Sequence, residues 1–180
     1  MRMNKTVRCL MNLDPGRPIL YLMLLMALAG CAPTLQLQNE ASERYFDSPN
    51  FEDTALEGNR ASGVLILVRT GYIQRDNQEK LSIYLGCDFT EPQSAKLLSA
   101  NLVDSNGLKL EAADLGMDCP ESLRRTASLR GSGYLHFYGD GVPKLALGET
   151  VLLHVSIEIQ DSVYELSLPL TSKRVWVWPT

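Results

Sequence analysis

From Gly63 onward, apolar side chains recur at every second position in short runs separated by turn residues. That period constrains the fold more than any other property of this chain. Successive side chains of a strand point to opposite faces, so strict alternation marks a sheet with one face turned to a core. Leu81, Ile83, Leu85 and Cys87 alternate with Lys80, Ser82, Tyr84 and Gly86, which places Cys87 inward beside the leucines. Val151, Leu153, Val155, Ile157 and Ile159 form a second inward face, and Tyr164, Leu166, Leu168 and Leu170 form a third. Val64 to Val68 is apolar at every position, the pattern of a central strand covered on both faces.

Turn chemistry falls between these runs. Asp76-Asn77-Gln78, Gly139-Asp140-Gly141 and Gln160-Asp161-Ser162 each separate two alternating segments. Asp104-Ser105-Asn106-Gly107 stands between residues 95–103 and 108–112, and Asn-Gly predicts a type I′ hairpin there. Residues 113–130 fit a strand or one short helix, and Val175-Trp176-Val177-Trp178 reads as a last strand stopped by Pro179. The spacing has no room for a helix between successive strands, which a parallel sheet requires. The expectation over residues 60–180 is an all-β domain, an antiparallel sandwich of about seven strands resembling immunoglobulin-like domains, with a small β-barrel as the alternative.

The first thirty residues have a different character. Arg2, Lys5, Arg8 and Arg17 precede an apolar run from Ile19 to Leu28. A basic segment followed by about ten apolar residues is secretory signal organisation. The run is short for a membrane span, which needs roughly 20 apolar residues. It ends in Leu28-Ala29-Gly30-Cys31, which resembles the lipobox of bacterial lipoproteins. The resemblance covers residues 19–32 and says nothing of the rest. It implies a signal peptide of residues 1–30, cleavage between Gly30 and Cys31, and a lipid anchor on Cys31, with a diacylglyceryl group on its thiol and palmitate among the acyl chains. The alternatives are an unlipidated secretory signal and a transmembrane anchor. Met3 and Met11 are alternative starts that lead to the same cysteine. Ala32 follows where an aspartate is associated with inner-membrane retention, so the resemblance implies an outer-membrane anchor with the domain facing the periplasm. Two or three acyl chains hold stably, since each buried methylene contributes about 0.8 kcal/mol.

Residues 31–59 then read as the lipidated cysteine and a polar tether, rich in Gln, Asn, Glu, Ser and Asp. A flexible coil of about 28 residues spans roughly 30 Å. The competing expectation is that Leu35 and Leu37, or Tyr45, Phe46 and Phe51, dock this segment onto the domain. Removing residues 1–30 takes away four basic residues and Asp14, leaving 13 basic against 20 acidic side chains, a net −7. That balance argues against nucleic acid or anionic lipid as the main partner. With Cys9 removed and Cys31 acylated, Cys87 and Cys119 remain as one pair, and an even remainder in an oxidising compartment reads as a disulfide. Closing a loop of about 33 residues contributes about 3.7 kcal/mol on the chain-entropy model.

No Gly-x-Ser-x-Gly elbow, glycine-rich phosphate loop or zinc-protease helix motif occurs, so no enzymatic activity and no cofactor are expected. His136 and His154 are weak candidates for a metal or ligand patch: if their strands pair, both imidazoles face outward near Glu158. Arg124, Arg125 and Arg130 form the dense basic cluster of the mature chain, a solvated surface or a site for lipid head groups or an acidic partner. Trp176 and Trp178 share one strand face and either cover the core, stack on a sugar or fill a partner's pocket. The functional expectation is a lipid-anchored cell-envelope lipoprotein whose non-catalytic sandwich binds another envelope component. The alternative is a carrier of a lipid, sugar or metal, and fold alone does not choose between them.

Overall fold

A computed structural model describes residues 32–75, 79–89, 91, 94–119, 131–139, 142 and 146–177. The chain divides into two units. One is Leu35–Val175, and the other joins Met1–Thr34 to Trp176–Thr180. In the second unit the described residues, 32–34 and 176–177, are strand.

The strands are β1 (Ala32–Gln38), β2 (Arg60–Ala61), β3 (Val64–Arg75), β4 (Glu79–Phe89), β5 (Ala95–Val103), β6 (Lys109–Glu111), β7 (Asp114–Asp118), β8 (Gly131–Tyr138), β9 (Thr150–Ile159) and β10 (Ser162–Val177). Helix α1 (Glu40–Asp47) and a 3₁₀ turn (Thr54–Asn59) lie between β1 and β2. The class is all-β, with a sandwich-like arrangement of mostly antiparallel strands. The ten strands form one sheet in the order β6-β5-β9-β10-β1-β3-β4-β8-β7, with β2 paired to β3. The strand number exceeds the expected seven partly because residues 32–61 contribute two strands. Two expected segments, Tyr164–Leu170 and Val175–Val177, are instead one strand, β10.

Alternation places the core as the sequence implies. Ile66 and Val68 of β3, Leu81 to Cys87 of β4, Leu135 and Phe137 of β8 and Val151 to Ile159 of β9 turn their apolar faces into one cluster. Full burial of such side chains stabilises by about 1.5–3 kcal/mol each. Leu65 and Leu67 point the opposite way and are equally buried. Tyr45 of α1 and Leu56 of the 3₁₀ turn cover them, with Ala41, Phe46 and Phe51 alongside.

The tether reading of residues 31–59 is therefore corrected from Leu35 onward, in favour of docking. Asn39 caps α1 by accepting from Ser42 N–H at 2.9 Å, and Glu40 and Glu43 suit the positive end of the helix. Asn39 Nδ2 donates to Pro169 O at 2.9 Å, and Asn59 Nδ2 donates to Ile66 O at 2.9 Å. Ser42 Oγ accepts from Val68 N–H, and Tyr45 O–H donates to the buried Asp88 carboxylate. A buried polar network with its groups paired holds the segment in one position.

The hairpin after β5 is where the sequence places it, but the turn differs. Gly107 N–H donates to Asp104 O at 3.0 Å, and Gly107 has φ +80° while Asn106 does not have positive φ. Ser105 and Asn106 are thus the centre of a turn that Gly107 follows in the left-handed region, a three-residue loop instead of type I′. Two-residue loops with positive φ at both positions occur at Ser62-Gly63 and Gln160-Asp161.

The two ends of the sheet are joined by consecutive residues. Ala112 N–H donates to Ala100 O and Ala113 N–H donates to His136 O, both at 2.9 Å. Residues 109–118 therefore leave β5 for β8 within one peptide unit, a corner of the kind that lets one sheet form two layers. Cys119, just beyond β7, is bonded to Cys87 of β4 (S–S 2.07 Å, Cα–Cα 6.1 Å) and accepts a hydrogen bond from Ala95 N–H.

Candidate functional site: a tyrosine-lined groove

The outer face of β3, β4, β8 and β7 carries an open groove of about 1150 Å³. Cross-strand register builds it row by row. Thr70, Tyr84, Tyr134 and Gly116 form one row across β3, β4, β8 and β7. Gln36, Tyr72, Ser82, His136 and Asp114 form the next, starting from β1. Tyr72, Tyr84 and Tyr134 are 36–42% exposed, with Tyr72 and Tyr84 set edge to face at 6.3 Å between centroids.

A β-bulge decides which β3 side chains face the groove. Val68 pairs with Leu85 and Thr70 with Tyr84, so Arg69 is the extra residue. The bulge inverts the parity of everything after it. Without it Tyr72 would share the inward face of Ile66 and Val68. With it Arg69, Thr70 and Tyr72 line the groove. Glycine forms much of the floor: a Cβ on Gly116 would meet the Tyr134 ring at 2.9 Å, and one on Gly133 would meet Gly116 O at 2.8 Å.

His136 lies between two rings, 5.2 Å from Tyr134 and 6.3 Å from Tyr138, and the Lys80 ammonium sits 5.4 Å from the Tyr138 centroid. Burial holds its imidazole below the usual value, and the Lys80 charge pushes the same way against Asp114 and the Leu135 carbonyl. His136 Nδ1 is buried and has no hydrogen-bond partner among the described residues. Ser82, His136 and Asp114 are successive cross-strand neighbours, but no hydrogen bond joins them.

His154 lies elsewhere. Its strand β9 pairs with β5 and β10, whereas β8 pairs with β4 and β7, so the condition for a shared histidine patch is not met. His154 Nδ1 is 2.8 Å from Ser167 Oγ, its cross-strand neighbour. Among the described residues, no three His, Cys, Asp or Glu side chains gather to hold a metal ion, and no helix is long and apolar enough to cross a membrane. Gly30, Cys31, Arg124, Arg125 and Trp178 lie outside the described residues, and Trp176 contributes its backbone to β10.

No family model, curated protein or solved structure matches this chain. Of the groove residues, the sequence alone singled out His136. It missed Tyr72 and Tyr84, because their approach depends on strand order and on the bulge at Arg69.

Proposed function

We propose that this chain is a lipid-anchored lipoprotein of the bacterial envelope whose non-catalytic domain binds another envelope component in the tyrosine-lined groove. The single observation that carries the binding reading is the groove itself. Three half-exposed tyrosines from adjacent strands flank a floor of small residues, with Gln36, Arg69 and Asp114 at its margins. Tyrosines supply rigid contact area at low entropic cost, and small polar residues adapt around them. The anchor reading rests on Leu28-Ala29-Gly30-Cys31, and the outer-membrane, periplasm-facing location rests on Ala32. Cys31 and Leu35 are four residues apart, at most about 14 Å of chain, so the proposed anchor leaves little free tether.

Labelling with radioactive palmitate tests the anchor. The wild type takes up label and fractionates with membranes, and Cys31→Ser does neither. Persistent membrane association of Cys31→Ser rejects the lipid anchor. A photo-crosslinking residue at Tyr72 or Tyr84 tests the groove against the same residue at Leu152 on β9. Equal crosslinking at all three positions rejects the groove as the binding face.

A second reading has one observation behind it, the row Ser82, His136 and Asp114. A serine nucleophile needs a hydrogen bond to its base, and that contact tightens in some enzymes only when substrate binds. Labelling of Ser82 by a fluorophosphonate supports hydrolysis, and its absence removes this reading.

A further inference from the structure

The groove has a chemistry that selects among ligand classes, and the argument rests on the binding role proposed above. Its centre is made by β4 and β8, each hydrogen-bonded to a strand on both sides, while β7, at the end of the strand order, forms its rim. An extended peptide cannot add to these strands, because their backbone groups are already paired. Recognition here falls to side chains.

Those side chains are of two kinds. Tyr72, Tyr84 and Tyr134 offer ring surface, and Gln36, Arg69 and Asp114 offer planar polar groups beside it. Among the described lining residues Arg69 is the cation and Asp114 the anion, so the groove is nearly balanced in charge. A phosphate or an acidic lipid headgroup selects a cluster of cations, which the described lining residues do not form. A proline-rich segment also docks on aromatic grooves, but its prolines provide acceptors without N–H donors. Asp114 accepts only and would face it unpaired, whereas a hydroxyl both donates and accepts. A sugar ring combines an apolar face of C–H groups with a rim of hydroxyls. That is the complement of rings interleaved with amide, carboxylate and guanidinium.

We infer that the groove binds a neutral glycan chain, whose pyranose faces stack on Tyr72, Tyr84 and Tyr134 while Gln36, Arg69 and Asp114 hydrogen-bond its hydroxyls. Binding is non-covalent and leaves the glycan unchanged. The groove's volume of about 1150 Å³ exceeds what one pyranose fills, so a chain longer than one sugar is the natural occupant.

The test uses the full-length lipidated protein in nanodiscs of uncharged lipid. It is titrated with tetramers of β-linked N-acetylglucosamine, β-linked glucose and α-linked glucose, and tyrosine fluorescence and calorimetry report binding. At least one tetramer is expected to bind, and more tightly than its monosaccharide. Tyr84→Ala, Tyr134→Ala and Asp114→Asn each weaken that binding about tenfold or more, while Val163→Ser, on an exposed site of β10, leaves it unchanged. Thermal melts verify that the variants fold, and Tyr84→Phe, which keeps the ring, retains most of the affinity. If none of the tetramers binds at millimolar concentration, the proposal is overturned, as it is if the tyrosine variants bind as well as the wild type. A proline-rich decapeptide or a second copy of the chain binding in place of sugar overturns the glycan but leaves the groove a binding site. Equal crosslinking inside and outside the groove, in the experiment above, overturns that wider reading.

Discussion

The Tyr134 ring lies directly over Gly116. A Cβ on that glycine would come within 2.9 Å of Tyr134 Cε1 and 3.0 Å of Cζ. The two residues face each other across β8 and β7, so the absent side chain is what lets the ring lie down and shape the groove. Gly116→Ala is expected to tilt the ring outward. The ring is 38% exposed and free to yield, so the stability change stays within about 1 kcal/mol, while glycan affinity falls. Urea denaturation alongside sugar titration separates the two effects. Unchanged affinity would mean that the ring position is immaterial.

The Cys87–Cys119 bond ties a central strand to the end of β7, 32 positions later in the chain. Its removal is expected to cost about 3–4 kcal/mol, within the range seen for native disulfides. Guanidinium denaturation with and without reductant measures this. A loss below about 1 kcal/mol would show that core packing alone holds β7 in place.

Leu56 is fully buried against Leu65 and Leu67. Leu56→Ala is expected to destabilise by about 2–5 kcal/mol, the range for deleting a buried leucine side chain. A free tether would show no loss, so one denaturation curve distinguishes the docked segment from a linker.

This segment also shows how far the sequence was legible. Val64 to Val68 announced a strand covered on both faces, and alternation assigned Leu81 to Cys87 and Val151 to Ile159 correctly to the core. What covers Leu65 and Leu67 was harder to read, because α1 has few apolar residues and its hold is largely polar, through Asn39, Ser42 and Asn59. Local periodicity carries no information about such long-range hydrogen bonds. The groove was obscured for another reason. Tyr72, Tyr84 and Tyr134 lie on three strands, and one inserted residue at Arg69 turns the first of them outward. A bulge leaves no mark in a hydrophobic pattern except a break that resembles a strand end. His136 and His154 were linked by an assumed strand pairing that the sheet order does not contain.

Asp161 has φ +60° in the two-residue loop between β9 and β10. A non-glycine residue there costs roughly 1–2 kcal/mol, part of which glycine returns through greater freedom in the unfolded chain. Asp161→Gly is expected to stabilise by about 0.5–1 kcal/mol, raising Tm by about 1–4 °C in a chain of this size. Calorimetry decides it, and a lower Tm would show that the aspartate side chain has a stabilising role of its own.

His136 is expected to add to the loss of stability in acid. Its imidazole is held below the ordinary value of 6.5 by burial first and by Lys80 second. On acidification the unfolded chain therefore takes up this proton before the folded protein does, and stability falls as pH drops from about 6.5 towards the lower folded value. Above that window the residue contributes no pH dependence. His136→Gln is expected to flatten this part of the stability–pH curve. An unchanged curve would assign the slope to other groups.

Strand β1 sits between β10 and β3, so the first of the described strands is paired on one side by the last. Synthesis delivers the chain amino terminus first, and β1 must wait for some 120 residues before that neighbour exists. Contacts so distant in sequence make for slow closure. Until β10 arrives, the sheet has an open slot on each side of which a strand edge is exposed, and those edges are suited to pairing with another chain. Folding of this domain is thus a race between its own carboxyl terminus and any neighbouring strand for the same place.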